Sequence, residues 1–367
     1  MPYANHCDTA VSKATEETST SALLTGAAGV LLVFMMQVFV IILNVELLCV
    51  LRKITTMHDN VKVMWLSLSV SCIIRAVTRL VDVGKEFALL LVAKWDCRLA
   101  QLPHLACIAL SIPGPLLDGY TVFALTVMTC ERVWSTLRLK QHKSTPQFGA
   151  LLATFTWLLA VVVGLGTRVL DEILALIQNQ EYAAVLFESY DRSCFIGVKS
   201  AWLAHILALS ILLCLLAPLP MFRWINAWNR MIVAEFKRSG VHQPLQIRVQ
   251  LKRNVETSTA MVSTLLVHIG CVLLGIIVGH VIRPLIGMGA AQGAPINRLI
   301  YTAFVSLPLS SIHGMMHPIM LVQCTNVLRT IMVPASNARL LKHVVKFCQR
   351  IKNLGNNQVL LLSIVYN

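Results

Sequence analysis

Long apolar segments are the feature of this sequence that most restricts how it can fold. The segment from Ala22 to Leu51 contains a single charged side chain, Glu46, and exceeds the about 20 residues that a helix needs to cross the hydrocarbon core of a bilayer. A helix satisfies its backbone hydrogen bonds within one segment, as the bilayer interior requires. Comparable segments recur along the chain, so the sequence predicts a polytopic membrane protein.

Composition supports the membrane class. Of the 367 residues, 56% are hydrophobic and only 13% are charged, and the mean hydropathy is +0.71. That leaves too little polar surface for a soluble domain of this length. The net charge of +14 does not indicate a nucleic-acid partner, because the basic residues lie between apolar segments rather than on one soluble face.

The predicted fold is an all-α seven-transmembrane helix bundle. It divides into an extracellular N-terminal segment (1–21) without signal-peptide features, a bundle (22–324) and a cytoplasmic basic tail (325–367). The expected membrane helices are Ala22–Leu51, Val61–Val83, His104–Val133, Phe148–Gly166, Val198–Trp224, Thr257–Ile282 and Ile296–Val322. The polar segment Thr167–Gly197 is expected to be an outer loop.

The distribution of basic residues predicts the orientation. With the N-terminus outside, the segments on the inner side hold 20 of the 31 Lys and Arg residues. Positively charged loops stay in the cytoplasm. In the tail, Leu340, Val344 and Phe347 alternate with Lys342 and Lys346, which predicts an amphipathic helix on anionic lipid of the inner leaflet. Cys348 is a candidate palmitoylation site, with a free thiol as the alternative.

Two motifs lie at the predicted inner ends of the helices. One of them, CERVWST, ends the third helix with the Glu131-Arg132 pair. The other, LQIRVQLKRNV, precedes the sixth helix. The CERVWST motif resembles the ERxxAT signature of the nematode Sra superfamily of seven-helix, G-protein-coupled-receptor-like chemosensory receptors (classes Sra, Srab, Srb and Sre). The LQIRVQLKRNV motif is similar to their LSxRYQLxEN signature, matching at Leu245, Arg248, Gln250, Leu251 and Asn254.

The resemblance implies a chemosensory receptor in the plasma membrane, in this family a sensory cilium, that binds an external small molecule or peptide and activates a heterotrimeric G protein. The residues that it assigns to coupling are Glu131, Arg132, Asn226, Arg230, Arg248 and Asn254. For Arg132 the alternative role is an ordinary positive-inside anchor. Val249 and Arg253 replace the tyrosine and glutamate of the signature, so a degenerate receptor that does not couple is a further alternative.

Four cysteines fall on the predicted outer side: Cys7, Cys97, Cys107 and Cys194. Four cysteines allow three full pairings, and the sequence alone does not choose between them. The receptor resemblance implies a bond between Cys107 and Cys194. Cys97 is the main rival partner for Cys194.

An acidic residue inside the third predicted helix is the candidate centre of a ligand pocket. An ionised Asp118 near mid-bilayer needs a partner. Arg75 and Arg79, one turn apart on the second helix, share a face and are the candidates. The alternatives are a polar ligand pocket and a structural ion pair. The same charges are also compatible with a small transporter or channel, although matched broken helices are not evident.

The remaining polar residues suggest no enzyme chemistry. The intramembrane histidines His205, His268, His280, His313 and His317 lack adjacent acids or cysteines that would complete a metal site, so they are expected in the core. Neither a nucleotide-binding loop nor a nucleophile elbow is evident, and no cofactor is expected. The receptor resemblance implies a hinge at Pro318 in the seventh helix. Kinks are also expected at Pro113, Pro115, Pro218 and Pro220, with a role in packing alone as the alternative for each proline.

Overall fold

The computed structural model describes residues 20–53, 57–93, 102–103, 106, 108–109, 112–137, 145–178, 190–191, 201–239, 245–277 and 307–324. Apart from one pair of two-residue strands, the elements in these ranges are helices. They are α1 (Thr20–Lys53), α2 (Asp59–Ala93), α3 (Pro113–Leu137), α4 (Pro146–Gln178), α5 (Ala201–Leu216), α6 (Pro218–Ser239), α7 (Leu245–Ile277) and α8 (Leu307–Cys324). Strand β1 (Leu102–Pro103) pairs antiparallel with β2 (Tyr190–Asp191).

Helix α3 lies at the centre of the bundle. It contacts α2, α4, α5, α6 and α7. Around it, α1 packs against α2 and α8, while α7 packs against α8, α6 and α5. Tyr120, Leu125 and Met128 of α3 are buried in the main apolar core. Any side chain of α3 that faces inward therefore meets several helices at once.

Several of the described helices are suited to cross a membrane. Four stretches are long and apolar enough: Ala27–Arg52, Asp59–Gly84, Pro146–Leu174 and Leu209–Ile232. A shorter apolar stretch, Met261–Gly275, lies in α7. The part of the chain that the structure describes is thus all-α, as expected of a polytopic membrane protein. Helices α3 and α8 are not among the four, because polar residues lower their hydropathy: Asp118, Glu131 and Arg132 in α3, and His313 and His317 in α8.

The outer face of α4 shows why these helices need an apolar solvent. Leu151, Leu158, Val162 and Ile177 are each at least 60% exposed. A continuous apolar face of this kind on a soluble monomer would be an aggregation site. In a bilayer the same face contacts lipid.

Several helix boundaries differ from the predicted ones. Helix α2 continues to Ala93 and α4 to Gln178, so the start of the expected outer loop after Gly166 is helical. Helix α7 begins at Leu245, which makes the LQIRVQLKRNV motif its first three turns. Hydropathy marks the part of a helix that lies in lipid, whereas helical hydrogen bonding continues beyond it.

The third helix begins later than predicted. Residues 102–103 form strand β1, and α3 begins at Pro113 rather than at His104. At the first position of a helix a proline lacks only an N–H that would be unpaired anyway. Pro113 therefore starts the helix instead of kinking it. As a consequence, Asp118 lies in the second turn of α3 and not at its middle.

The predicted fifth helix is divided in two at Ala217, because Pro218 begins α6. A proline has no N–H for the carbonyl four residues earlier, here that of Cys214. The Thr126 hydroxyl of α3 lies 3.3 Å from the Cys214 carbonyl oxygen and 3.1 Å from that of Val122. A side chain from the neighbouring helix thus solvates the carbonyl that Pro218 leaves free.

Helix α8 repeats the arrangement at Pro318, which lies inside the helix. The carbonyl that this proline leaves free belongs to Gly314, and Asn44 of α1 donates to it from Nδ2 over 3.0 Å. Gln37 of α1 also donates to the Ser311 hydroxyl oxygen over 2.6 Å. Polar side chains on α1 therefore hold α8 in place at its proline.

Candidate functional site

A cluster of four buried polar residues joins α2, α3 and α7; we call it the Arg132 cluster. Arg132 donates from Nε and Nη2 to the two carboxylate oxygens of Glu131, each over 2.5 Å. It also donates from Nη1 to Asn254 Oδ1 of α7 over 3.0 Å. Asn60 at the start of α2 donates to Glu131 Oε1. None of the four is more than 5% exposed.

The two asparagines make this burial tolerable. Removing an ion pair from water costs more than its attraction returns unless further hydrogen bonds satisfy both charges. Asn60 donates a hydrogen bond to the Glu131 carboxylate, and Asn254 accepts one from the Arg132 guanidinium. Of the two coupling residues predicted on α3, Arg132 thus bonds directly to Asn254, a residue of the LQIRVQLKRNV motif, and Glu131 is linked to it through Arg132. Asn60 was not anticipated, because an asparagine near a helix start is typical of a cap.

Close approach of α4 to α2 positions Asn60. A Cβ added at Gly149 would lie 2.6 Å from Asn60 Cα and 2.7 Å from its carbonyl oxygen. Both are backbone atoms, so only a residue without a side chain fits at this position. Gly149 thereby sets the distance between α4 and the start of α2.

Further buried polar atoms on α3, α6 and α7 lack hydrogen-bond partners among the described residues. They belong to Ser135, Thr136, Asn229, Asn254 and Ser258. Asn229 was not anticipated, yet it is fully buried, whereas the predicted Arg230 is exposed. Asn226 and Arg248 lie on α6 and α7, but their side chains fall outside the described part.

A second charged group joins α2 to α3 near the start of α3; we call it the Asp118 cluster. Arg75 Nη2 lies 2.5 Å from Asp118 Oδ1, and Arg79 Nη2 lies 3.8 Å from Asp118 Oδ2. Arg79 Nη1 is also 3.9 Å from Asp82 Oδ2. The structure therefore brings together the three residues predicted for the ligand pocket and adds Asp82.

The Asp118 cluster is more open than the Arg132 cluster. The Asp118 side chain is 41% exposed, against 12% for Arg75. The Arg79 guanidinium packs against the start of α3, since a Cβ added at Gly114 would lie 3.5 Å from Arg79 Nη2, an ordinary van der Waals distance. A carboxylate that is paired on one side and open on the other is suited both to a structural ion pair and to a ligand contact.

A set of aromatic rings and hydroxyl groups lies between the two clusters. Its side chains come from α2, α3 and α4. The rings of Tyr120 and Trp157 stack with centroids 4.1 Å apart. The Tyr120 hydroxyl is 2.5 Å from the Ser67 hydroxyl, to which Trp157 Nε1 also donates over 3.2 Å. These contacts hold α2, α3 and α4 together between the charged ends.

Three of the predicted core histidines are buried on α7 and α8. The His268 and His313 rings meet edge to face, with centroids 4.0 Å apart. His317 stacks on Trp65 of α2 at 4.6 Å. Within the described ranges, no group of three or more His, Cys, Asp or Glu residues has the arrangement of a metal site. His205 lies on α5 without a described side chain, and His280 lies outside the described residues.

The proposed disulfide cysteines Cys97, Cys107 and Cys194 also lie outside the described residues. Two described strands lie near these cysteines in the sequence, and they pair Leu102 with Asp191 and Pro103 with Tyr190. The segment before α3 and the segment between α4 and α5 are therefore adjacent at this point. The predicted tail helix, with Cys348, lies outside the described part as well.

Comparison with known proteins adds no family. No protein-family model matches the chain, and no curated protein matches it either. The resemblance to the Sra superfamily therefore stays a prediction from the motifs.

Proposed function

We propose that this protein is a seven-helix chemosensory receptor, with its N-terminus outside, that binds an external ligand and activates a heterotrimeric G protein. The observation that carries the proposal is the hydrogen bond between Arg132 of α3 and Asn254 of α7. It joins the two helices at the end that the basic residues predict to be cytoplasmic. In the proposed resting state this bond keeps Arg132 buried.

Activation is proposed as a change between two arrangements of the bundle. A ligand shifts such an equilibrium only if it binds one arrangement more tightly than the other. In the active arrangement α7 moves away from α3, which exposes Arg132 and the unpartnered polar atoms of Ser135, Asn229 and Ser258. These groups then form hydrogen bonds with the G-protein α subunit.

The test is nucleotide exchange on G-protein α subunits reconstituted with the purified receptor. Asn254→Ala removes the tie between α3 and α7, so we expect higher exchange without ligand. Arg132→Ala removes the proposed contact with the G protein, so we expect exchange to be abolished. Thr129→Ala is the matched control, because its buried hydroxyl bonds only to the Leu125 carbonyl of its own helix in the described part.

Arg132→Ala also leaves Glu131 buried without its counter-charge, which is costly. A second variant, Glu131→Gln combined with Arg132→Gln, removes both charges and keeps polar contacts, and it should reach the cell surface. Exchange that continues undiminished in this surface-expressed double variant would sink the coupling role of Arg132.

Two other functions are tested by the same preparation. The Arg75–Asp118 pair inside the bundle is also the charge arrangement expected of a small transporter or channel. Solute flux through reconstituted vesicles, lost on Asp118→Asn, would favour that function. The degenerate-receptor alternative predicts no exchange in the natural chain and restored exchange in Arg253→Glu.

A further inference from the structure

The starting observation is a pair of buried histidines whose ring nitrogens have no partners. His268 is 6% exposed and His313 is 2% exposed. Neither ring nitrogen of either residue has a hydrogen-bond partner among the described residues. A neutral imidazole carries one hydrogen-bond donor and one acceptor. Each buried donor or acceptor that makes no hydrogen bond destabilises the folded protein. A pair of this kind calls for a partner.

The bundle supplies such partners elsewhere on the same helix. On α8, Ser311 is paired with Gln37 and the Gly314 carbonyl with Asn44. His317, one turn beyond His313, has Trp65 stacked on its ring. The ring nitrogens of His317, like those of His313, have no hydrogen-bond partner among the described residues, so both histidines differ in this respect from Ser311 and the Gly314 carbonyl.

The histidine pair lies within electrostatic range of the Asp118 cluster. The charges of both Arg75 and Asp118 act on His268, and the charge of Arg75 acts on His313. Arg75 Nε is itself a buried donor without a hydrogen-bond partner among the described residues. Side chains from α2, α7 and α8 that interact electrostatically thus carry hydrogen-bonding atoms without a partner in the described part of the chain.

Charge restricts what can bind there. In the Asp118 cluster, Arg75 and Arg79 are matched by Asp82 and Asp118. An added ion would be buried without a compensating charge, which is expensive at membrane depth. An uncharged molecule avoids that cost. To use both groups of an imidazole it must carry an acceptor and a donor.

We propose that His268, His313 and Arg75 form the binding site of a small uncharged molecule that both donates and accepts hydrogen bonds, such as an amide or an alcohol. This inference rests on the proposed receptor function and names its ligand class. The imidazoles and Arg75 Nε bind the polar end of the molecule. The apolar core around α3 contacts its hydrocarbon part.

The test uses thermal unfolding of the full-length protein in lipid nanodiscs, with a series of four-carbon probes. Butyramide and 1-butanol are uncharged, whereas butyrate and butylammonium are ions of similar size. We expect the two uncharged probes to raise Tm progressively with concentration, as ligands of the folded state do. The two ions should leave Tm unchanged. A response to the ions as large as that to butyramide would overturn the proposal.

His268→Phe and His313→Phe separate a ligand site from structural histidines. Phe keeps a ring of similar size but removes the unpartnered nitrogens, and such replacements are neutral or stabilising. We therefore expect Tm without probe to stay constant or rise, and the response to butyramide to be lost. His58→Phe, at a buried histidine between α1 and α2, should keep the response.

Two results would contradict the proposal. A lower Tm of both Phe variants, without any response of the natural chain to butyramide, would mean that ordered water alone serves the imidazoles. A response that persists in both variants would place the binding elsewhere. No G protein takes part, so binding without nucleotide exchange would overturn only the receptor proposal, and exchange driven by ions alone would overturn only this one.

Discussion

At the scale of single residues, polar side chains occur where a helix has lost a backbone donor. Asn44 and Thr126 lie on different helices, yet each approaches the carbonyl four residues before a proline. In the bilayer interior no water is present to donate a hydrogen bond to such a carbonyl, so a neighbouring helix must supply the donor. The prolines and their partners therefore form pairs whose effects depend on each other.

This pairing predicts a non-additive effect on stability. Asn44→Leu leaves the Gly314 carbonyl unpaired and should lower the free energy of unfolding by about 1–3 kcal/mol. In a Pro318→Ala background the new backbone N–H serves that carbonyl, so the same change should cost about 1 kcal/mol less. Equilibrium unfolding of the four proteins of this double-mutant cycle measures the difference. Equal costs in both backgrounds would show that Asn44 acts through another contact.

Residue patterns predicted the meeting of charged groups better than the meeting of neutral ones. Arg75 and Arg79 share a helix face with a spacing of four, and an acid in an apolar helix needs a base, so their approach to Asp118 follows from the sequence. The contact between His268 and His313 does not. It depends on how α7 and α8 rotate against each other, which neither spacing nor hydropathy records.

At the scale of helices, the distance between α2 and α4 depends on Gly149. Gly149→Ala would force a methyl group into the backbone of Asn60, and relief requires the two helices to separate. We expect a loss of about 1–3 kcal/mol in the free energy of unfolding, as in overpacked cores. The displaced Asn60 should also weaken its hydrogen bond to Glu131. Unfolding in detergent measures the first effect, and ligand-free nucleotide exchange measures the second.

Helix α4 provides its own control for this change. A Cβ added at Gly166 would meet no described atom within 4 Å, apart from its chain neighbours and the backbone of its own helix. Gly166→Ala should therefore stabilise the protein by about 0.5–1 kcal/mol, because glycine is unfavourable inside a helix. Should both substitutions shift stability in the same direction, close helix contact would not be the cause.

Helix existence could be predicted from the sequence, whereas helix ends could not. Each described helix overlaps a predicted apolar segment, with the fifth divided at Pro218, but most of α6, which continues to Ser239, was expected to be loop. The extension of α4 to Gln178 and of α7 back to Leu245 was missed, because polar residues beyond the membrane continue a helix without any change in hydropathy. The late start of α3 was missed because Pro113 looked like a kink within a longer apolar stretch.

At the scale of the whole molecule, the predicted orientation has a direct test. The positive-inside distribution places the N-terminus outside and the tail in the cytoplasm. An epitope tag before Met1 should be stained on intact cells, and a tag after Asn367 only after permeabilisation. Staining of both tags on intact cells would require an even number of spans and would remove the seven-helix proposal.

The two charged clusters lie near opposite ends of α3, and each of them joins α3 to α2. The Asp118 cluster and the contact of Asn60 with Glu131 both join α2 to α3, with Ser67 and Tyr120 between them. Because α3 is held to α2 near both of its own ends, the two helices move as one body. In the proposed mechanism the helix that moves is therefore α7, which contacts Arg132 through Asn254.

In the proposed receptor, the hydrogen bond from Arg132 to Asn254 determines the level of activity without ligand. A bond to a charged donor contributes about 1.5–3 kcal/mol, and each 1.4 kcal/mol is a factor of about ten in an equilibrium. Held by this bond, the open arrangement is about 10- to 150-fold rarer than the closed one. In the proposed receptor, between about one molecule in ten and one in 150 then signals without ligand, and the weakest detectable stimulus is the one that exceeds this background.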